Sequence, residues 1–329
     1  MSLDFETINL ETYPAYTIII QGGIYLVLYK YRSDSEFTEN IFTNKQIWLA
    51  TPDTLNDPFE CSYNIPLDLM QAHIETSCKA QISGFAFSCA MFAQKGRTPF
   101  GIPQNEIDEF LKSLKPVFSI KEDYRLFREF QKKHGLSLSD QESTFDRLKK
   151  AVKEVGIFSL SSEIDNQLLW AHYADESRGI AIGFCVTSDS RLSSSEHCFK
   201  VEYSDDISEK RDIGFNQQVD FYLEHDDNLP QKMRFSNTTK IPLSDPFFQR
   251  VISTKPTAWS YEREWRYVEE TAGLFPLPAP ICEVVFGLRV EQKTIEKYKK
   301  LAIESNGNIQ FFQMKKSSNK NILEKCPIQ

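Results

Sequence analysis

Along the chain, short runs of apolar residues alternate with segments whose apolar residues recur every three or four positions. Residues 24–31, IYLVLYKY, are dense in β-branched and aromatic types and predict a buried strand. Residues 33–51 divide in two. The first half predicts a short helix capped by Ser33 or Asp34, with Phe37 and Ile41 four apart, and QIWLAT predicts a strand. Residues 51–60, TPDTLNDPFE, carry the Pro, Asp and Asn of a structured loop. Residues 82–92, ISGFAFSCAMF, read as a buried strand. NEIDEFLKSL, EDYRLFREFQKKHG and ESTFDRLKKAVKEVG predict amphipathic helices over 104–155, with Gly135 and Gly156 as stops.

Beyond them the pattern predicts a strand over 157–162 and a helix over 166–179 ending at Gly179. Strands follow at IAIGFCV and FKVEYSDD. Residues 204–245 are polar and read as irregular. DPFFQRVISTK and TIEKYKKLAIES predict helices, while WSYEREWRYVEE, ICEVVFGLRV and NIQFFQMKK predict strands. Strands and helices interleave without a regular βαβ rhythm, and neither GxGxxG nor a Walker loop is present, which weighs against a Rossmann or P-loop enzyme. The expectation is an α+β fold with a mixed, mostly antiparallel sheet. Residues 1–23 form an N-terminal extension, and 24–329 a single domain with a helical insertion at about 104–155.

Composition adds limits. Hydrophobic residues are 41% of 329 and aromatic residues 13%, enough for a substantial core. The net charge of −8 argues against non-specific binding to a phosphate backbone, although a local basic groove stays open. Seven scattered cysteines with no CxxC pair point to a reducing compartment and to no metal. The first residues are acidic and lack an apolar core, and no run approaches the ~20 apolar residues of a membrane helix. A cytoplasmic protein with no membrane partner is expected.

Four segments could carry chemistry. If WSYEREWRYV is one strand, Glu262, Glu264 and Arg266 share a face, with the two carboxylates ~7 Å apart. The plain alternative is an exposed face on which Arg266 neutralises Glu264. In DNQLLWAHYADESRG, Leu169, Trp170 and Tyr173 fall on one side of a helix and His172 with Leu168 on another. In TLNDPFE, Asn56 and Asp57 before Pro58 make a rigid turn, of structural use or lining a pocket. In YKYRS, Lys30 and Arg32 alternate with tyrosines, and Arg32 could clamp a phosphate or be an ordinary edge charge.

YKYR, IWLATPDTLNDPFEC, FSLSSEIDNQLLWAHYADESRGIAIGF and KPTAWSYEREWRYV together resemble the bacterial family of unknown function 2971. The order of the blocks also resembles the ADP-ribosyltransferase fold, with an early Arg, a middle Ser-rich strand and a late ExE pair. That resemblance implies NAD as co-substrate, with Arg32 on its phosphate or ribose and Ser159 and Ser161 supporting the nicotinamide pocket. It implies Glu264 on the ribose hydroxyl, Glu262 positioning an acceptor, and Trp170 or Tyr173 stacking on nicotinamide. His172, Asn56 and Asp57 complete the expected binding residues. The block FSLSS departs from a Ser-Thr-Ser strand, and the helical insertion is large.

Three hypotheses follow. An NAD-consuming ADP-ribosyltransferase-like effector (a toxin or anti-phage component, with a macromolecular acceptor) requires Glu264, Arg32 and Ser161 to converge on a pocket. A non-catalytic sensor of a small-molecule nucleotide, another ligand or a nucleic acid requires each carboxylate to be paired, notably Glu262 or Glu264 with Arg266 or Arg178. A metal-dependent hydrolase would use Asp57, Glu60 and Glu264, but the sequence has no metal-ligand spacing to support it.

Overall fold

The computed structural model describes residues 17–20, 23–63, 65–114, 120–140, 143–206, 217–229, 232–305 and 309–328. Most of the expected 1–23 extension lies outside them. In chain order the strands and helices are β1 (Thr17–Ile20), β2 (Gly23–Arg32), α1 (Glu36–Thr43), β3 (Gln46–Leu49), α2 (Leu67–Gln94), α3 (Gln104–Ser113), α4 (Ile120–Lys133), β4 (Leu136–Ser137) and α5 (Thr144–Glu154). They continue with β5 (Gly156–Ser161), α6 (Gln167–Tyr173), β6 (Ile180–Val186), β7 (Cys198–Lys200), β8 (Glu202–Tyr203), β9 (Gln218–His225), β10 (Met233–Lys240) and α7 (Pro246–Ser253). The last are β11 (Thr254–Lys255), β12 (Glu264–Glu269), β13 (Gly273–Pro276), β14 (Ile281–Phe286), α8 (Gln292–Ser305), β15 (Gln310–Lys316) and β16 (Leu323–Pro327). No helix among the described residues is long and apolar enough to cross a membrane.

The chain divides into two compact units: residues 1–62, 153–205 and 250–329, and residues 63–152 and 206–249. Among the described residues, nine strands of the first unit form one sheet, in the order β16-β15-β14-β6-β2-β5-β12-β7 with β1 on β2. Only the β14–β15 pair is parallel, so the sheet is mixed and mostly antiparallel, as the sequence predicts. Period-two alternation separates its faces. Leu28, Phe158, Leu160, Ile180, Ile182 and Phe184 pack on one side with Ile41 and Phe42 of α1 and Ile295 and Tyr298 of α8. Val27, Tyr29, Tyr31, Ala181 and Cys185 pack on the other with Leu169 and Trp170 of α6. Each fully buried Val, Leu, Ile or Phe among them contributes ~1.5–3 kcal/mol by leaving water.

Local signals explain the ends of several elements. The α1 cap is Ser35, whose hydroxyl accepts from Thr38 N; Ser33 and Asp34 precede it. The helix predicted to reach Gly179 stops at Tyr173, because Asp175, Glu176 and Ser177 all take positive φ. Gly135 does end α4 with φ 69°. Gly156 instead opens β5, where a Cβ would lie 2.3 Å from Thr271 O. A Cβ on Gly287 would lie 2.2 Å from Ser177 O, a backbone atom that cannot swing away. Gly287→Ala is therefore expected to destabilise the protein by ~1–3 kcal/mol, the usual cost of overpacking, read from the urea midpoint at unchanged slope.

In the second unit, Cys78, Ile82, Phe85 and Cys89 of α2 are buried with Ile107 and Phe110 of α3 and Tyr124, Phe127 and Phe130 of α4. This corrects the strand expected over 82–92. The buried positions there recur at four, three and four residues, which is helical, while Phe87 between them and Phe92 beyond them are exposed. The expected irregularity of 204–245 is also corrected in part. Residues 207–216 lie outside the described ones, but β9 and β10 form an antiparallel hairpin from Gln218↔Lys240 to His225↔Met233. Polar strands such as MRFSNTTK lack the apolar alternation by which strands are read.

Candidate functional site

The site begins with a defect in sheet pairing. β2 pairs with β6 from Leu26 to Arg32, but with β5 only at Tyr29↔Ser161. Tyr31 and Ser159, next in that register, do not pair with each other; the strands part, and a cleft of about 140 Å3 opens there. Tyr29, Tyr31, Leu160 and Leu169 supply apolar wall. Ser159, Ser161, Asn56, Tyr173, Lys30, Lys255, Glu262 and Glu264 supply polar groups.

The carboxylate pair reaches the cleft by a route the sequence reading did not anticipate. WSYERE is not strand. Residues 257–262 form a short 3-10 turn after Pro256, and Arg263 takes φ 45° before β12 starts at Glu264. Glu262 and Glu264 therefore do not share a strand face. Lys255, on β11, gathers them instead, with its Nζ 2.7 Å from Glu262 and 3.3 Å from Glu264. The shared face does hold for Glu264 and Arg266, but it is buried rather than exposed. Arg266 Nε lies 3.1 Å from Glu264, and its guanidinium also bonds Glu60 and the Ile252 carbonyl. Three carboxylates and two cations are thus held almost out of water, with side-chain exposures of 6% or less.

Hydrogen bonds fix the rest. The Tyr173 hydroxyl donates to Glu262 and accepts from Asn56 Nδ2 at 2.7 Å. Ser161 Oγ donates to the Glu262 carbonyl at 2.6 Å and accepts from Glu163 N at 3.0 Å. Burial alone would raise the Glu264 carboxyl, but the charges of Arg266 and Lys255 outweigh it and hold that carboxyl at about 2. Burial would lower Lys255, and Glu264 and Glu262 reverse that, keeping it protonated. Glu60 shifts upward because its burial exceeds the help of Arg266. Lys30 goes the other way: burial, then the Arg32 charge, lower it to about 7.

Of the residues singled out in the sequence, Lys30, Ser159, Ser161, Leu169, Asn56, Tyr173, Glu262 and Glu264 line the cleft, while Arg32, Trp170, His172, Asp57 and Arg178 do not. Arg32 is half-buried and its Nε has no hydrogen-bond partner. Trp170 is wholly buried, its indole N–H donating to Ile164 O at 2.6 Å and its ring edge-on to Tyr31. His172 is exposed. Asp57 is buried as a turn residue, Oδ1 accepting from Phe59 N at 3.0 Å. Arg178 pairs with Glu176 at 2.9 Å rather than with the cleft carboxylates. Lys255 escaped the sequence reading because nothing in ISTKPTAW marks it. Lys30 carried a usable signal, since period two places it with Arg32.

Residues 169–267 match the family described as Protein of unknown function (DUF2971). The DUF2971 match takes in Tyr173, Lys255, Glu262, Glu264 and Arg266, while Lys30, Ser159 and Ser161 lie before it. No curated protein and no solved structure matches the chain. The likeness of this DUF2971-matching chain to ADP-ribosyltransferases thus rests on the order of its motifs.

Proposed function

We propose that the chain is a ligand-binding domain whose cleft takes a small organic molecule, or the ring or sugar end of a nucleotide, without turning it over. One observation carries this reading: both cleft carboxylates already have cation partners, Glu262 on Lys255 and Glu264 on Arg266 and Lys255. Apolar walls with a few fixed polar groups are the usual make-up of a ligand site, and strongly shifted ionisations cluster in such places. At about 140 Å3 the cleft is smaller than the ~300–1,000 Å3 of sites for drug-sized ligands, so one ring or sugar fits and a whole dinucleotide does not. The net charge of −8 disfavours a nucleic-acid ligand.

A second reading, ADP-ribosyl transfer from NAD, is favoured by one fact: Ser161 and Glu264 face the same cleft. Glu264 would then hold the nicotinamide-ribose hydroxyl, with only that end of NAD entering. Its pairing with Arg266 weakens the stabilisation it could offer a cationic transition state, which places this reading second.

The test is thermal stabilisation by nicotinamide, adenosine and NAD, beside an assay for nicotinamide release. Binding without release is expected. Tyr173→Phe, which removes the hydroxyl held by Glu262 and Asn56, is expected to weaken binding ~10-fold, the worth of one hydrogen bond. Release that Glu264→Gln abolishes would establish the second reading. No stabilisation by any of the three would overturn the first.

A further inference from the structure

The cleft holds two lysines in opposite surroundings. Lys255 touches two carboxylates and stays charged. Lys30 Nζ donates to the Ser159 carbonyl at 2.8 Å and lies 4.6 Å from the centre of the Phe158 ring. Among the described residues it has no carboxylate in ion-pair contact, and Arg32 follows two positions along the same strand face. The groups acting on its charge are Arg32 on β2, Lys255 on β11, Glu262 at the end of the 3-10 turn and Glu264 at the start of β12; the ring of Phe158 and the β5 backbone screen it from water. The cations and the burial prevail and lower its pKa to about 7, well below the ~10.4 of an ordinary lysine. Two titratable groups of one type, driven apart by their environments in one site, are the arrangement that separates a nucleophile from a proton donor.

We propose that Lys30 captures a carbonyl-bearing ligand, an aldehyde or ketone small enough for the cleft, as a Schiff base. This deepens the reading of the cleft as a ligand site and rests on it. The Nζ lone pair attacks the carbonyl carbon, and the C–O π bond breaks toward oxygen. That oxygen takes a proton, and the nitrogen loses one, giving a carbinolamine. A second proton transfer expels the hydroxyl as water and leaves a C=N bond to Nζ. One water is lost per imine formed, and nothing is oxidised or reduced. Lys255, kept as an ammonium by Glu262 and Glu264 in the same cleft, is the proton donor.

The experiment incubates the full chain with glycolaldehyde at limiting concentration, traps imines with cyanoborohydride, and maps adducts by mass spectrometry across pH 6–10. Lys30 is expected to label ~100-fold faster at pH 7 than Lys293, whose side chain is 80% exposed. Labelling at Lys30 should rise through pH 7 and level off by about 8, whereas at Lys293 it keeps rising toward 10. Protection of Lys30 by nicotinamide or adenosine would support the proposal and the site together. Lys30 labelling no faster than Lys293 overturns the proposal. If those two compounds still stabilise the protein in that case, the ligand site stands without the covalent step, and if they do not, both fall. The wild-type chain alone decides the matter, so no variant need fold.

Discussion

Arg266→Met is expected to cost ~3–5 kcal/mol of stability, the penalty of stranding a buried charge. Arg266 is fully buried, and its guanidinium spans Glu264, Glu60 and the Ile252 carbonyl. Methionine fills similar space but leaves Glu60 with Lys255 at 4.0 Å as its remaining cation, and it leaves the carbonyl with no replacement donor. Arg266→Lys should recover little, because a single ammonium cannot reproduce a fork that reaches three acceptors. Arg125→Met is the control. Arg125 also bridges two glutamates, but at 53% exposure, and its loss should shift the urea midpoint little. Urea denaturation of the three variants measures the contrast, and equal losses at Arg266 and Arg125 would show that the buried cluster is not what the geometry implies.

Acid should weaken the protein through Glu264. Its folded pKa of about 2 lies below the ordinary 4.5, so its ionised form is favoured by folding. The sign follows: the contribution is fully present above about 4.5 and is lost as pH falls toward 2. A shift of this size corresponds to ~3 kcal/mol. Glu264→Gln should lower stability at pH 7 yet flatten its fall between pH 4.5 and 2, so that the wild type and the variant converge in acid. Parallel curves across that range would mean that Glu264 is not the group concerned.

Much of the first unit was legible because its signals are local. IYLVLYKY and IAIGFCV are so apolar and β-branched that only a buried strand suits them, and ICEVVF is the same. The helices over 104–155 show their repeat openly. The run ISGFAFSCAMF misled because small and apolar residues satisfy both periods. The helical evidence lay upstream, at Ile74 and Cys78. The cleft was half legible. Ser161 and Glu264 come together because β5 and β12 pair in the register Glu264↔Ser161. The turn that separates Glu262 from Glu264 depends on the left-handed Arg263, a residue type that gives no warning of such a conformation. The cations closing the cluster were harder still. Lys255 is defined by where β11 lands, and Arg266 by the depth of a face that its own charges made look exposed. Trp170 is taken up by the core, where its indole bonds Ile164 O, and Arg32 lies outside the cleft lining.

The parting of β2 from β5 also sets a timetable for the ribosome. The walls of the cleft are written at residues 29–31, 159–161, 255 and 262–264, so more than two hundred residues separate the first from the last. Glu60 waits in the growing chain for a guanidinium that is made only at residue 266, and Ser161 waits for its β12 neighbour at 264. At ~5–20 residues per second this interval lasts ten seconds or more. Once made, the strand GIFSLS keeps an unclaimed edge until β12 follows, and Glu60 has no counter-charge until Lys255 and then Arg266 are added. A nascent chain stalled before Arg266 is thus both blind to ligand and open to wrong pairing, and one that passes it gains its binding site and its hardest-won ion pairs in the same stretch of synthesis.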